Sequence, residues 1–320
     1  MTRWLLRGVG LLLIASALGV QLSRAPDRPV ESLVARWAPP PSDFIAVKGQ
    51  LVHLRDEGPR GDPLPIVLLH GTGASLHTWQ GWVAVLRKTR RVVTFDLPAF
   101  GLTGPFTGQY AVDDYRGDTY ARFVLDVMDA LKVQRAVVGG NSLGGEVAWR
   151  AVTLAPQRFE RLILVDASGY PLSFDSVPVG FRIAAVPGLN RLAEHLLPRS
   201  LVVASVRSVY GDPSLVTEPL VDRYFELTLR EGNRRALAQR MRQLEPGAHA
   251  ERLKRIAIPT LILWGGRDRL IAPTEARRFA RDIADAHVVV FDGLGHVPHE
   301  EDPARTVAAV VDFLGHAPSP

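Results

Sequence analysis

One stretch of the sequence, VVGGNSLGGEVA at residues 137–148, wraps four glycines around a single serine. The β-branched residues before it suit a buried strand, and residues 146–155 have the pattern of a helix that ends before Pro156. Between them the chain has to turn sharply, and glycine tolerates both positive φ and close backbone approach. A G-x-S-x-G turn in this setting holds the serine Oγ at the tip of a strand. The pattern therefore makes Ser142 a candidate nucleophile.

Short apolar segments alternate with helical patterns along most of the chain. A hairpin is predicted at residues 44–54, and one strand leads into Ser142. The other predicted strands lie at residues 66–69, 91–95, 161–165, 260–264 and 287–291. Alternation of this kind produces a mostly parallel sheet with helices on both faces, so we predict an α/β fold.

The alternation breaks between residues 169 and 250, where we find no convincing buried strand, several prolines, and helical patterns at residues 182–197 and 222–229. An insertion between two sheet strands predicts a helical cap over the site. Its aromatic residues either line a pocket or fill the core of the cap; they are Phe174, Phe181, Tyr210, Tyr224 and Phe225. We expect a core at residues 44–168 and 251–316, a cap at 169–250, and a proline-rich tether at 23–43.

The N-terminus has the pattern of a targeting segment. Arg3 and Arg7 precede an uncharged run of fifteen residues at positions 8–22, with a candidate cleavage site at Ala15-Ser16-Ala17. The run is short for a membrane-spanning helix, which needs about 20 residues, but it continues past the cleavage candidate. We therefore expect residues 1–22 to be a signal or a membrane anchor. The protein would then be membrane-anchored or exported, with its catalytic domain outside the cytoplasm.

Composition argues against several other classes of function. The net charge of +5 comes from scattered arginines, and the densest basic run, RKTRR at residues 87–91, has no interleaved aromatics. Nucleic-acid binding is therefore not expected. Because the chain has no cysteine, it can form neither a disulfide framework nor a thiolate metal site.

A serine nucleophile needs a base, an acid that orients the base, and donors for the developing oxyanion. In a parallel sheet these groups come from loops at the carboxyl ends of strands. His296 follows the last predicted strand behind two glycines, and Asp268 follows the strand before it. The chain order serine, acid, histidine suits this type of site. Asp166 and Asp292 remain alternative acids.

The remaining site residues follow from the same loops. Nine histidines compete for the role of base. His299 lies three residues after His296, but it falls in the acidic run that opens the last helix, where capping is its expected role. The oxyanion hole should combine the backbone N–H of Leu143 with that of Thr72, which lies in the HGTG loop at residues 70–73.

Together these motifs resemble those of the α/β-hydrolase superfamily across about residues 44–314. The matching segments are HGTG at 70–73, DLPAFGLT at 96–103, GNSLGG at 140–145, WGGRD at 264–268 and GHVPHEEDP at 295–303. The chain looks like the capped group of that superfamily. The resemblance implies a triad of Ser142, Asp268 and His296, a helical cap, and neither a metal nor an organic cofactor.

The identity of the nucleophile narrows the range of reactions that we expect within that group. Epoxide hydrolases and haloalkane dehalogenases use an aspartate nucleophile, whereas this chain has Ser142. The GNSLGG segment is similar to that of carbon–carbon hydrolases, but those usually carry an aromatic residue after the histidine, and here it is Val297. We therefore predict hydrolysis of small hydrophobic carboxylic esters through an acyl-enzyme on Ser142. The alternatives are meta-cleavage carbon–carbon hydrolysis, acyl transfer, and a non-catalytic receptor; the sequence predicts no oligomeric state.

Overall fold

The computed structural model describes residues 23–171 and 195–315, together with Arg7, Gly19 and Gln21. Within these residues, eight strands form one sheet in the order β1-β2-β4-β3-β5-β6-β7-β8. The strands are β1 Ser42–Val47, β2 Gln50–Glu57, β3 Ile66–Leu69, β4 Val92–Phe95, β5 Ala136–Asn141, β6 Phe159–Val165, β7 Thr260–Gly265 and β8 Ala286–Phe291.

The sheet is mostly parallel. β2 pairs in antiparallel fashion with β1 and β4, and the pairs from β4 through β8 are parallel. The central strands β3 and β4 are buried along their whole length, as expected where helices cover both faces. The predicted α/β fold is confirmed.

Ten α-helices surround this sheet in the described ranges. They are α1 Glu31–Trp37, α2 Gln80–Leu86, α3 Gly117–Ala130, α4 Leu143–Leu154, α5 Arg199–Val209, α6 Glu218–Thr228, α7 Asn233–Arg242, α8 Thr274–Asp282, α9 Pro298–Glu301 and α10 Pro303–Gly315.

Side-chain alternation along each strand divides the core into two apolar layers. On β3, Val67 and Leu69 face the layer that contains Phe123 of α3 and Trp149 of α4. Ile66 and Leu68 face the opposite layer, which contains Trp82 of α2 and Phe313 of α10. The sheet is therefore held from both sides, which fixes the positions of the loops at its carboxyl edge.

The described part of the predicted cap consists of helices. The helical pattern at residues 222–229 lies largely within α6, whereas Phe174, Phe181 and most of the pattern at 182–197 lie outside the described residues. Tyr210 is buried in a small apolar cluster with Val206, Val216, Val221 and Val297. Because Val297 follows His296, this cluster joins the cap to a loop of the core.

Residues 25–37 lie along the cap helices α6 and α7. Arg234 pairs with Asp27 at 2.6 Å, and the Gly232 N–H donates to the same carboxylate at 3.0 Å. Arg36 forms ion pairs with Asp222 and Glu226. The segment that precedes β1 thus contacts the cap through charged side chains.

The prediction that the protein is membrane-anchored or exported, with the membrane as a partner, is wrong. It depended on residues 1–22, of which the structure describes Arg7, Gly19 and Gln21. No helix in the described part of the chain has the length and apolar character needed to cross a membrane. The physical weakness of the prediction was length, because the uncharged run has fifteen residues and a spanning helix needs about 20.

Gly144 determines how closely α4 approaches β3. A Cβ at this position would lie 2.1 Å from the Leu69 carbonyl oxygen, which is backbone and cannot rotate away. By contrast, a Cβ at Gly293 meets no described atom within 4 Å. Close helix–strand contact at the end of β5 therefore requires glycine at position 144.

We expect Gly144→Ala to lower the free energy of unfolding by about 2–3 kcal/mol, because the added methyl group forces the helix from the sheet. Gly293→Ala, the matched control, should leave it nearly unchanged. Urea denaturation of both variants checks this, and equal stabilities would contradict the packing argument.

Candidate active site

Ser142 occupies a sharp turn between β5 and α4. Its backbone has φ 54° and ψ −116°, a conformation that is strained for a residue with a side chain. Hydrogen bonds hold the turn: the Ser142 N–H donates to the Val165 carbonyl at 3.0 Å, and the Ser142 carbonyl accepts from Ser168 at 3.1 Å. The serine is partly exposed while both of its neighbours in sequence are buried. The turn predicted from the glycines is present.

Two backbone N–H groups were predicted as oxyanion donors. Leu143 is the first residue of α4, where the N–H has no acceptor within the helix. The HGTG loop lies beside Ser142, since a Cβ on Gly71 would be 3.2 Å from the Ser142 Cβ. Thr72 is the next residue of that loop. The structure therefore brings the loop of the second predicted donor to the nucleophile turn.

The imidazole of His70 holds the HGTG loop in place through two hydrogen bonds. Its Nδ1 donates to the Gly71 carbonyl at 2.8 Å, and its Nε2 accepts from the Leu97 N–H at 2.9 Å. Burial lowers the pKa of His70, although the nearby Asp96 carboxylate opposes this. A neutral imidazole suits this arrangement, because one ring nitrogen must donate and the other must accept.

Asp268 and His296 are hydrogen-bonded to each other. The His296 Nδ1 lies 2.7 Å from Asp268 Oδ2, and both side chains are buried. The other carboxylate oxygen of Asp268 accepts from the N–H groups of Leu270 and Ile271, at 2.7 and 3.0 Å. These contacts orient the carboxylate and keep the Nδ1 proton on the histidine. The His296 Nε2 is buried with no hydrogen-bond partner among the described residues. The structure therefore shows no hydrogen bond between Ser142 and this nitrogen, and Nε2 remains available as an acceptor.

Asn141 is a site residue that sequence reasoning missed. Its side-chain amide donates to the Val165 carbonyl at 3.1 Å and to the His296 carbonyl at 2.9 Å. It thereby connects the strand before the nucleophile to the loop that carries the histidine. The available signal was its place inside the GNSLGG segment, since a buried amide next to a strained turn needs partners.

The alternative acids lie in different environments. Asp166 is buried at the end of β6, and its Oδ1 accepts from the Gly265 N–H at 2.9 Å. Burial, and then the negative charge of Asp268, raise the pKa of Asp166 well above its usual range. A protonated carboxyl cannot stabilise an imidazolium as a carboxylate does. Asp292 is exposed in the turn after β8.

The spacing of three side chains in the described residues would also permit a metal ion, since one ligand atom each of Asp166, Asp268 and His296 lies within 4.8 Å of the others. The Asp268 oxygens, however, already accept from the His296 ring and two backbone N–H groups. We therefore interpret the group as a hydrogen-bonded network rather than a metal site.

The expected capping role of His299 is corrected. Its ring is buried, lies 4.1 Å from the ring of Trp79, and contacts the Thr78 hydroxyl through Nε2 at 3.0 Å. Burial lowers the pKa of His299 to about 3. A neutral, buried ring packs in the core instead of capping the helix with a charge.

Comparison with known proteins places the chain among hydrolases. The family model described as the alpha/beta hydrolase fold matches residues 65–303. A 2-hydroxymuconate semialdehyde hydrolase from Pseudomonas sp. (strain CF600) is 29% identical over 284 residues, covering 85% of this chain and 93% of that protein. The solved meta-cleavage product hydrolase from Pseudomonas fluorescens IP01 has a TM-score of 0.72 at 25% identity, covering 85% of this chain and 97% of its own. The solved structure of a hydrolase from Pseudomonas aeruginosa PA01 has a TM-score of 0.72 at 29% identity, covering 87% of this chain and 99% of its own.

We expect Asp268→Asn to slow the reaction of Ser142 with a fluorophosphonate by about three to four orders of magnitude, because an amide cannot stabilise the histidine cation. Asp166→Asn should react at nearly the wild-type rate, since asparagine resembles the protonated acid. The rates are measured by intact-protein mass spectrometry. A larger loss in Asp166→Asn would move the role of acid to β6.

The raised pKa of Asp166 also predicts a dependence of stability on pH. A raised pKa means that the group stabilises the fold fully below pH about 4 and loses that contribution as the pH rises through the folded-state pKa. Asparagine does not titrate, so Asp166→Asn should lose less stability than the wild type between pH 5 and 9. Urea denaturation across this range checks it; parallel curves would show that Asp166 is ionised in the folded protein.

Proposed function

The chain belongs to the α/β-hydrolase family, and on that premise we propose that it cleaves a carbon–carbon bond in small vinylogous dicarbonyl compounds, with Ser142 as nucleophile. The observation that carries the proposal is the 2.7 Å hydrogen bond between Asp268 Oδ2 and His296 Nδ1, on a loop that the Asn141 amide joins to the nucleophile turn at 2.9 Å. A buried carboxylate, an oriented imidazole and a serine at a strand tip are the groups that nucleophilic attack on a carbonyl requires.

In the first step, His296 Nε2 accepts the proton of the Ser142 hydroxyl while Oγ attacks the substrate carbonyl. Asp268 stabilises the imidazolium that forms, because its Oδ2 accepts from Nδ1. The backbone N–H groups of Leu143 and Thr72 donate hydrogen bonds that stabilise the negative charge developing on the carbonyl oxygen. We expect these donors to need little reorganisation, because Leu143 begins α4 and the HGTG loop lies beside Ser142.

In the second step, the tetrahedral intermediate collapses and the carbon–carbon bond breaks. A carbanion is a much poorer leaving group than an alkoxide, so the departing carbon has to be conjugated to a second carbonyl that accepts its electrons. The His296 imidazolium returns the proton to the leaving fragment. Water, activated by the same histidine, then attacks the acyl group on Ser142 and releases the acid.

The choice of bond is supported by the named relatives. One of them is a 2-hydroxymuconate semialdehyde hydrolase and another is a meta-cleavage product hydrolase, and each is covered almost fully by this chain. One residue of the sequence argues against carbon–carbon hydrolysis, because the residue after His296 is a valine and not an aromatic residue. Val297 is buried in the apolar cluster of the cap with Val206 and Tyr210. In this chain that position serves packing between cap and core, so the absence of an aromatic residue carries less weight.

The second candidate function is the hydrolysis of carboxylic esters, which is the reaction that the sequence alone predicts. Attack by Ser142, stabilisation of the oxyanion and deacylation are the same for an ester. Because an alkoxide is a better leaving group than a carbanion, an ester substrate needs no second carbonyl to accept electrons. The departure at Val297 from the usual carbon–carbon hydrolase pattern is the observation that favours it. Acyl transfer to an acceptor other than water uses the same acyl-enzyme.

The kcat/KM for 2-hydroxymuconate semialdehyde should exceed that for 4-nitrophenyl butyrate by at least about a hundredfold, which corresponds to about 2.7 kcal/mol of transition-state stabilisation. Ser142→Ala should lower both by at least about a thousandfold and leave the fold intact, because residual catalysis comes from the oxyanion donors and binding alone. Stopped-flow absorbance follows the dienoate, and circular dichroism checks folding.

Faster turnover of the ester would reverse the order of the two candidates. Wild-type-like turnover of both compounds by Ser142→Ala would overturn the nucleophile itself.

A further inference from the structure

The carboxylate of Glu301, in the last turn of α9, lies between the cap and the loop that carries His296. Oε1 accepts from the Gly295 N–H at 2.7 Å, and Oε2 accepts from the Gly211 N–H at 2.8 Å. The Asp212 N–H approaches the same Oε2 at 3.5 Å. Gly295 directly precedes His296, and Gly211 lies two residues after cap helix α5. One carboxylate therefore uses both oxygens to join two segments that are far apart in sequence.

A direct backbone contact reinforces this bridge. The His296 N–H donates to the carbonyl of Val209, the last residue of α5, at 2.7 Å. No side chain separates the two segments, since a Cβ at Gly295 would lie 2.4 Å from the Gly211 nitrogen. The cap and the histidine loop are in backbone contact, and a shift of one by an ångström would have to move the other.

The partners of Glu301 indicate bridging and not charge pairing. In the described part of the chain, its carboxylate forms no ion pair with a lysine, arginine or histidine side chain. Its neighbour Glu300, by contrast, forms a close pair with Arg223. Burial raises the pKa of Glu301, while the N–H groups of Gly295, Gly211 and Asp212 lower it. Hydrogen bonds from N–H groups to a carboxylate are stronger than those to a neutral acceptor.

We propose that Glu301 is a positioning residue that couples the cap to His296. By holding residues 209–212 against Gly295, it fixes the loop that carries His296 and so keeps the imidazole bonded to Asp268 in position for Ser142. The inference rests on the proposed function for the roles of Ser142 and His296. Its consequence is that the site is fully assembled only when the cap is in place.

Glu301→Gln tests the coupling with little change in shape. Glutamine has one acceptor oxygen, and its NH₂ group would face the other backbone N–H, so one of the two links must break. We expect phosphonylation of Ser142 and kcat to fall about ten- to a hundredfold, as for a misplacement of about 1 Å. Hydrogen exchange should increase in peptides that cover residues 209–212 and 293–297.

Asp302→Asn is the matched control. Asp302 is the next residue, and its carboxylate also accepts a backbone N–H, from Arg305 at 3.1 Å, while its other oxygen lies 3.6 Å from the guanidinium of the same arginine. This variant should keep the wild-type phosphonylation rate and the wild-type exchange in those peptides even if its melting temperature falls.

Equal effects of the two variants, or Glu301→Gln with wild-type phosphonylation and exchange, would overturn the coupling. The exchange measurement needs no turnover and no reactive serine. If Ser142 proved unreactive in the wild type, the proposed function would fail, while increased exchange confined to the two peptides in Glu301→Gln would still show the bridge.

Discussion

The backbone of Ser142, at φ 54° and ψ −116°, is strained, and the rest of the structure is arranged so that this conformation persists. The parallel sheet holds the residue before it, and α4 holds the residue after it. Gly144 allows the backbone of α4 to lie directly against the Leu69 carbonyl of β3, where any side chain would force the helix outward. A serine held in this way presents its Oγ beyond the edge of the sheet, where the other loops converge.

The meeting of these loops at one edge of the sheet does not by itself align the side chains of the site. Three polar contacts align them. The Asn141 amide binds the His296 carbonyl, the Asp268 carboxylate binds the imidazole, and Glu301 connects the same loop to the cap. Each contact involves a buried or half-buried group whose partners come from another element. The nucleophile turn, the base and the cap are thus parts of one hydrogen-bonded assembly, which is why we expect a change at the cap boundary to affect Ser142.

The elements that local patterns describe were predicted well from the sequence. Apolar runs gave the strands, and the loops after them contain Ser142, Asp268 and His296, because parallel topology brings strand ends together. What the sequence did not predict depends on contacts between distant residues: the hydrogen bond from the Asn141 amide to the histidine loop, the bridge by Glu301, the raised pKa of Asp166 buried beside Asp268, and the packing of residues 25–37 on the cap. The membrane prediction failed because it depended on one apolar run without any tertiary check.

In the proposed mechanism, the reaction passes through a covalent acyl group on Ser142, which forms because His296 removes the proton of the serine hydroxyl. The direct measurement is rapid acid quenching during turnover of a slowly deacylated substrate, followed by intact-mass analysis and peptide mapping. We expect one acyl group per chain, found on the peptide that contains Ser142 and absent in His296→Ala. Product formation with no acylated protein at any quench time, or acylation at a different residue, would contradict it.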